Sequence, residues 1–196
     1  MYHWIKDKDY LKPVKVECNK VIDLLVQSIE QEGGMKVKKH LVGSGAKNMI
    51  AQNASEPIDL DYNLEIIDFG KFDENDCKDS TSALTTERKA FKEGNKTPFS
   101  IDVCIVKVTG DGAWHRLIHE KNGTIARDCY FWNEAQMSRG LNERLSWLKE
   151  KGMWIEVREK YVEKKNAYLT RQDRNHPSFI VYIEAVNEVY AKYNRS

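Results

Sequence analysis

Long apolar runs are missing from this sequence of 196 residues, and so is an N-terminus of the kind that directs export. A membrane-spanning helix needs about 20 consecutive apolar residues, and no stretch here reaches that length. A signal peptide needs a charged start followed by an apolar segment. We therefore expect a soluble protein that is not exported and has no membrane partner.

Cysteine is scarce and widely spaced, at Cys18, Cys77, Cys104 and Cys129. No two of these residues have the Cys-x-x-Cys spacing that is common in zinc sites, and their separation does not suggest a disulfide framework. We expect reduced thiols, most of them in the core, and a cytoplasmic location.

An excess of charge of one sign is also absent, since 31 Lys and Arg residues face 30 Asp and Glu residues. This balance argues against a protein that binds nucleic acid without sequence preference. Basic residues do gather locally, and we interpret them mainly as a solvated helix face, with contact to a phosphate as the alternative: Arg158, Lys160, Lys164, Lys165, Arg171 and Arg174.

Apolar residues make up 41% of the sequence, which is enough for a hydrophobic core. The length suggests one compact unit, or one core domain with a smaller appendage. Apolar residues at intervals of three and four predict a helix over residues 14–31, after Pro13. Alternation predicts a strand over 35–42, and the carboxylate-bearing strand is expected over 58–67. A short helix is expected over 45–53.

The second half of the chain changes character after Asn133. Before it, we predict a hairpin of residues 80–91 with 99–109 and another of 114–120 with 124–131. After it, helical periodicity extends from Leu141 to Gly152, through 154–171 and over 178–193. The predicted domains are a core over 1–132 and a C-terminal helical lobe over 133–196.

Three acidic residues and one glycine-rich turn carry the chemical signal. The turn is Val42-Gly43-Ser44, and the acids are those of Asp59-Leu60-Asp61 and of Ile101-Asp102-Val103. Residues i and i+2 of a strand project to the same face, so Asp59 and Asp61 point the same way. If the strand of Asp102 pairs beside them, three carboxylates meet.

Such a cluster is unfavourable when empty, because like charges a few ångströms apart destabilise one another. A divalent cation removes that penalty, and Mg²⁺ prefers hard oxygen ligands. Glycine lets the backbone approach a ligand closely, so Gly43 and Ser44 are candidates to hold a phosphate, with Lys47 adding a positive charge. We also expect the apolar flanks of Asp102 to bury it, where an unpaired charge is costly.

At these residues the chain resembles the DNA polymerase β-like nucleotidyltransferase superfamily, whose pattern is Gly-Gly or Gly-Ser, then Asp-x-Asp, then a later Asp. The resemblance implies an α+β fold with a mixed sheet, flanking helices and a C-terminal helical lobe. It implies that Ser44 contacts phosphate, that Asp59, Asp61 and Asp102 are catalytic metal ligands, and that Asp102 helps activate the acceptor hydroxyl. Mg²⁺ is the implied cofactor, with Mn²⁺ as a substitute.

The function implied is transfer of a nucleoside monophosphate from a nucleoside triphosphate to an acceptor hydroxyl, with release of pyrophosphate. The acceptor is left open among a small molecule, a second nucleotide, a protein and an RNA end. The alternative is a non-catalytic nucleotide-binding or antitoxin-like regulatory protein of the same fold. An enzyme that modifies nucleic acid is a third reading, for which steep salt dependence of binding is expected.

Overall fold

A computed structural model describes residues 1–5, 8–54, 58–71, 99–124, 127–135, 140–173 and 176–194. Its strands are β1 (Tyr2–Trp4), β2 (Lys36–Leu41), β3 (Ala51–Asn53), β4 (Ile58–Asp68), β5 (Phe99–Val108), β6 (Trp114–Glu120) and β7 (Cys129–Glu134). Its helices are α1 (Lys8–Gly33), α2 (Gly43–Ala46), α3 (Leu141–Glu150), α4 (Trp154–Thr170) and α5 (Ser178–Tyr193).

The chain divides into two compact units. The sheet unit contains Asp7–Ala46 and Pro57–Ala135, and the helical unit contains Met1–Lys6, Lys47–Glu56 and Gln136–Ser196. These bounds differ from the predicted division at residue 132, because two short segments from the first third of the chain join the C-terminal helices. Such a union rests on contacts between distant residues, which local sequence patterns do not reveal.

The sheet unit is built on five strands in the order β2-β4-β5-β6-β7. The β4–β5 pair is parallel and the other pairs are antiparallel, so the sheet is mixed, as predicted. The predicted hairpin of β6 with β7 is present, although its second strand begins at Cys129 rather than at residue 124. The partner predicted for β5 at residues 80–91 lies outside the described residues.

Helix α1 covers one face of this sheet. Its buried side chains recur with helical spacing, and the Tyr62 hydroxyl of β4 donates a hydrogen bond to Asn19 of α1 at 3.2 Å. Burial raises the pKa of the Cys18 thiol and of the Tyr62 hydroxyl to about 12 in each case. Cys18 is therefore a core thiol, but the expectation that most of the thiols lie in the core is wrong for the described cysteines, because Cys104 is half-buried and Cys129 is exposed. Cys77 lies outside the described residues.

Helix α1 begins at Lys8, not after Pro13 as predicted, and Pro13 lies inside it. Proline cannot donate the hydrogen bond of an interior helical residue. Pro13 is the sixth residue of α1, beyond the first four residues, whose N–H groups have no partner within the helix, so its missing N–H removes one backbone hydrogen bond from the helix. Burial of the apolar side chains of α1 thus stabilises a helix that continues through Pro13, although proline is more often found at the start of a helix.

The helical unit has its own core, formed mainly by α3, α4 and α5, and Trp4 of β1 packs against it. The side-chain amide of Asn166 bonds both backbone groups of Tyr2, accepting from its N–H at 2.6 Å and donating to its carbonyl at 3.0 Å. The free edge of β1 is thereby attached to α4. None of the helices in the described ranges is both long and apolar enough to cross a membrane.

Candidate functional site

The start of strand β4 separates acidic from apolar side chains. Leu60 and Tyr62 are buried on the face that α1 covers, while Asp59 is exposed and Asp61 is half-buried. Because alternate residues of a strand share a face, Asp59 and Asp61 project together from the opposite side. We call this side the acid face, and the spacing of the two acids predicted it correctly.

Strand β5 adds the third acid to the same face. The parallel register pairs Asp61 with Asp102 and Asp59 with Ser100. Neighbouring strands lie about 4.8 Å apart, so Asp102 projects beside Asp61. The sequence argument that placed these two carboxylates on adjacent strands is confirmed.

Asp102 is exposed, however, and the expectation that its apolar flanks bury it was wrong. Its neighbours Ile101 and Val103 are themselves only half-buried. In a strand the residues on either side of a position face the opposite way, so they can contact the core while the residue between them meets solvent. The acid at position 102 therefore carries no penalty of a buried charge.

The first acid has a neighbour on the strand beside it. The Ser100 hydroxyl donates a hydrogen bond to Asp59 Oδ1. Among the residues that the structure describes, no three His, Cys, Asp or Glu side chains are grouped closely enough to hold a metal ion. The structure thus brings Asp61 and Asp102 side by side without assembling the three predicted ligands. The donor chemistry still fits, because Mg²⁺ prefers carboxylate oxygens, and binding of the ion stays a prediction.

The glycine-rich turn lies against the second acid. The Val42 N–H donates to the Asp61 carbonyl at 2.9 Å. Gly43 follows with a φ of 60°, and a Cβ atom there would overlap the Asp61 carboxylate, with Cγ at 3.0 Å. Left-handed backbone of this kind favours glycine, and here the carboxylate also excludes a side chain. Gly43 and Ser44 therefore lie next to the predicted ligand Asp61.

The same turn is held from the face that α1 covers. A Cβ atom on the buried Gly45 would stand 3.0 Å from Leu41 Cδ1 and 3.0 Å from Leu60 Cδ2. Lys15 of α1 donates from Nζ to the Gly45 carbonyl at 3.3 Å. A carbonyl at the end of a helical turn has no partner within the helix, and the Lys15 ammonium satisfies this one.

The prediction of a short helix over residues 45–53 is wrong in both where the helix begins and how long it is. The structure has a single helical turn, Gly43–Ala46, followed by the strand Ala51–Asn53. That strand forms because it pairs with Tyr2–Trp4, about fifty residues earlier in the chain. Local propensity cannot anticipate such a partner.

Lys47 belongs to the helical unit, whereas Gly43 and Ser44 belong to the sheet unit. Its Nζ atom lies 5.0 Å from the centroid of the Tyr182 ring, a cation–π distance. Its predicted contact with phosphate stays a prediction.

A further polar pair extends the acid face. His40 of β2 pairs in register with Asn63, the next residue after Asp61 on that face of β4. His40 Nε2 lies 2.7 Å from Glu65 Oε2, and the two side chains are only 29% and 15% exposed. The acid face therefore carries, beside Asp61, a half-buried pair formed by His40 and Glu65.

These features are those of a nucleotidyltransferase-like fold: a mixed sheet with flanking helices and C-terminal helices, as predicted. The chain is similar in structure to CdnC from E. coli MS115-1, solved with ATP, with a TM-score of 0.54 and 16% sequence identity over 95% of this chain. The match covers 66% of CdnC, so the chain spans about two thirds of its length. At this identity the likeness is one of fold. Neither a protein-family model nor a curated protein sequence matches the chain.

Sequence reasoning did not single out Lys15 and His40. Lys15 contacts a carbonyl thirty residues later, and His40 contacts a carboxylate twenty-five residues later. Each stands in an ordinary amphipathic or alternating pattern, so no local signal distinguishes either residue. The register of β2 on β4, once known, places His40 on the acid face.

Proposed function

We propose that the protein is a nucleotidyltransferase that moves a nucleoside monophosphate from a nucleoside triphosphate to an acceptor hydroxyl. The observation that carries this proposal is the pairing of Asp61 with Asp102 next to the Gly43–Ser44 turn. Two carboxylates in register beside a half-buried glycine turn suit a ligand that is both phosphorylated and bound to a cation. The likeness in fold to CdnC, a protein solved with ATP, supports the same class of substrate.

In the proposed reaction, the close backbone of Gly43 and the Ser44 hydroxyl bind the phosphate chain by donating hydrogen bonds to its oxygens. Asp59, Asp61 and Asp102 would hold Mg²⁺, which when bound neutralises charge on the triphosphate. Asp102, exposed beside Asp61, accepts the proton of the acceptor hydroxyl.

The bonds balance as a single displacement. The acceptor oxygen forms a bond to the α-phosphorus, and the bond from that phosphorus to the β-phosphate bridging oxygen breaks. The proton of the hydroxyl passes to the Asp102 carboxylate, and pyrophosphate leaves with the electron pair. Water must be kept from the same phosphorus, since it would yield the free monophosphate instead.

The decisive experiment incubates the purified protein with labelled nucleoside triphosphates, Mg²⁺ or Mn²⁺ and mixed acceptors, and measures products by mass spectrometry. We expect a nucleotidylated product and pyrophosphate. Asp61→Asn and Asp102→Asn should each lower the rate by about 100-fold or more, the scale of losing one electrostatic group at a reacting centre. Asp68→Asn, at the exposed far end of β4, is the matched control and should keep the rate. Full pyrophosphate release by both site variants contradicts the proposal.

A non-catalytic nucleotide-binding or antitoxin-like regulator is the second candidate. Two observations favour it: Asp59 accepts a hydrogen bond from Ser100, and no metal-ligating group of three is formed within the described part of the chain. Titration with a nonhydrolysable nucleotide and Mg²⁺ separates the two functions. Saturable binding without turnover, against every acceptor tried, supports the regulator.

A further inference from the structure

His40 and Glu65 form a pair whose geometry determines which ring nitrogen is available to a ligand. Glu65 Oε2 lies 2.7 Å from Nε2 of His40. An ionised carboxylate only accepts hydrogen bonds, so Nε2 carries the hydrogen and donates it. In the neutral ring the other nitrogen, Nδ1, is then an acceptor. With the ring neutral, the pair therefore presents a hydrogen-bond acceptor at Nδ1, and the contact with Glu65 holds the orientation of the ring.

Trp114 of β6 packs against this ring on the same face of the sheet. Val106 pairs with Glu65 on β4 and with Arg116 on β6, so Trp114, two residues before Arg116, projects from the acid face as well. The rings of Trp114 and His40 meet edge to face, with centroids 6.1 Å apart and planes at 78°. The two rings therefore form one border of the acid face, next to its carboxylates.

The pair stands close to the proposed phosphate site. His40 is near the end of β2, three residues before Gly43 of the turn that follows, and it is the diagonal neighbour of Asp61 across the β2–β4 pairing. Diagonal neighbours in an antiparallel pair lie about 7–8 Å apart. A triphosphate held at Gly43 and Asp61 therefore brings its sugar or base within reach of a side chain at position 40.

We propose that His40 is a specificity-determining residue that accepts a hydrogen bond from the nucleoside part of the bound nucleoside triphosphate. Glu65 and Trp114 position it. The group recognised is a hydrogen-bond donor, either a ribose hydroxyl or an N–H of the base. This inference rests on the proposed function, because it assigns the nucleoside end of the same site.

Two substitutions separate contact with the ligand from support of the fold. His40→Gln retains an amide N–H that can donate to Glu65 but removes the acceptor at the Nδ1 position. His40→Phe retains the ring against Trp114 and removes both nitrogens. The control is His119→Gln, because His119 forms a pair of the same kind, with Nε2 2.8 Å from Asp128 Oδ2 and an exposed fraction of 31%. It stands at the end of the β6–β7 hairpin.

The measurements are the Kd of a nonhydrolysable ATP analogue and, for turnover, KM and kcat for ATP. We expect His40→Gln to raise Kd and KM about fivefold to tenfold, the effect of losing one hydrogen bond, with kcat little changed. His119→Gln should leave all three at the wild-type values. The same assay with 2′-deoxy-ATP identifies the group, since a ribose contact predicts that the wild type loses affinity and the His40→Gln variant does not.

The outcomes distinguish this inference from the function on which it rests. Equal Kd and KM for the wild type and both His40 variants overturn the role of His40 while leaving nucleotidyl transfer intact. Wild-type binding without turnover counts against transfer, and the Kd comparison still decides the role of His40. Absence of both binding and turnover in the wild type overturns both proposals. If His40→Phe fails to fold, the His40→Gln variant decides.

Discussion

The backbone of Gly43 lies against the carboxylate of Asp61, and the space that a Cβ atom would need at Gly43 is occupied by that carboxylate. One residue of the turn and one predicted metal ligand are thus fitted to each other. Neither can change size without moving the other. The sequence places them eighteen positions apart, yet the fold makes them a single structural element.

Gly43→Ala should therefore impair the site more than it impairs the fold. An L-residue in the left-handed region costs about 1–2 kcal/mol, and the added methyl group must also displace the Asp61 carboxylate. We expect the free energy of unfolding to fall by about that amount and nucleotide binding to be lost. Urea denaturation and titration with an ATP analogue measure the two effects.

Gly34→Ala is the matched control for this prediction. Gly34 has a similar φ of 65°, but a Cβ atom there meets nothing within 4 Å. It should lose similar stability from backbone strain and keep its affinity for the analogue. Equal affinity of the two variants would show that the Gly43–Asp61 contact has no part in binding.

Lys15→Met should loosen the turn without unfolding the sheet unit. The Lys15 ammonium donates to the Gly45 carbonyl, and a hydrogen bond to a charged group contributes about 1.5–3 kcal/mol when well formed. We expect faster hydrogen exchange of the Ser44, Gly45 and Ala46 amides. Lys20→Met is the control, because Lys20 pairs with Glu17 on the exposed side of the same helix. Unchanged exchange in the Lys15 variant contradicts the anchoring role.

Leu148→Ala should destabilise the helical unit strongly. Leu148 is fully buried in the core of α3, α4 and α5, and such truncations cost about 2–5 kcal/mol through lost burial and the cavity left behind. Ile155→Ala is the comparison, since Ile155 is 67% exposed and exposed substitutions usually change stability by less than about 0.5 kcal/mol. Urea denaturation of both variants is the measurement, and equal midpoints contradict the assigned core.

Glu188 should contribute a stability that depends on pH. Hydrogen bonds from Lys164 and then Lys160 lower the pKa of the Glu188 carboxyl. A carboxyl with a lowered folded-state pKa stabilises the fold above its ordinary value, about 4.3, and this contribution is lost as pH falls through the lowered pKa. The pair is exposed, so its contribution is below about 1 kcal/mol.

The measurement is the difference in Tm between the wild type and Glu188→Gln as pH is varied. We expect the wild type to melt higher at pH 7 and the difference to vanish in acid below the ordinary carboxyl range. Glu159→Gln, on the exposed side of α4, should show no such difference. A gap between wild type and Glu188→Gln that persists in strong acid would assign the effect to packing instead of charge.

Much of the site was predictable because it depends on short-range periodicity. The alternation at Asp59-Leu60-Asp61 placed two acids on one face, and the apolar strand around Asp102 placed the third beside them. The last helix matched its predicted bounds, since Pro177 marks its start and its apolar residues keep helical spacing. These signals involve residues only a few positions apart, and they apply in any fold that buries the apolar side chains of the strand or helix.

Other expectations failed where a distant partner decides the local structure. The strand Ala51–Asn53 replaces a predicted helix because it pairs with β1. Asp102 meets solvent although its neighbours are apolar, because exposure depends on what covers the face and not on adjacent residues.

The sequence by itself determined the position of the carboxylate-bearing strand, the C-terminal helices and the face that the acids share, because residue periodicity and side-chain chemistry are local properties. Only the tertiary structure decided that Gly43 fits against Asp61, that Lys15 holds the turn and that Glu65 orients His40. Each of these contacts joins residues eighteen or more positions apart. Strand register and helix docking set such contacts, and both follow from burial of the whole apolar surface rather than from any one segment.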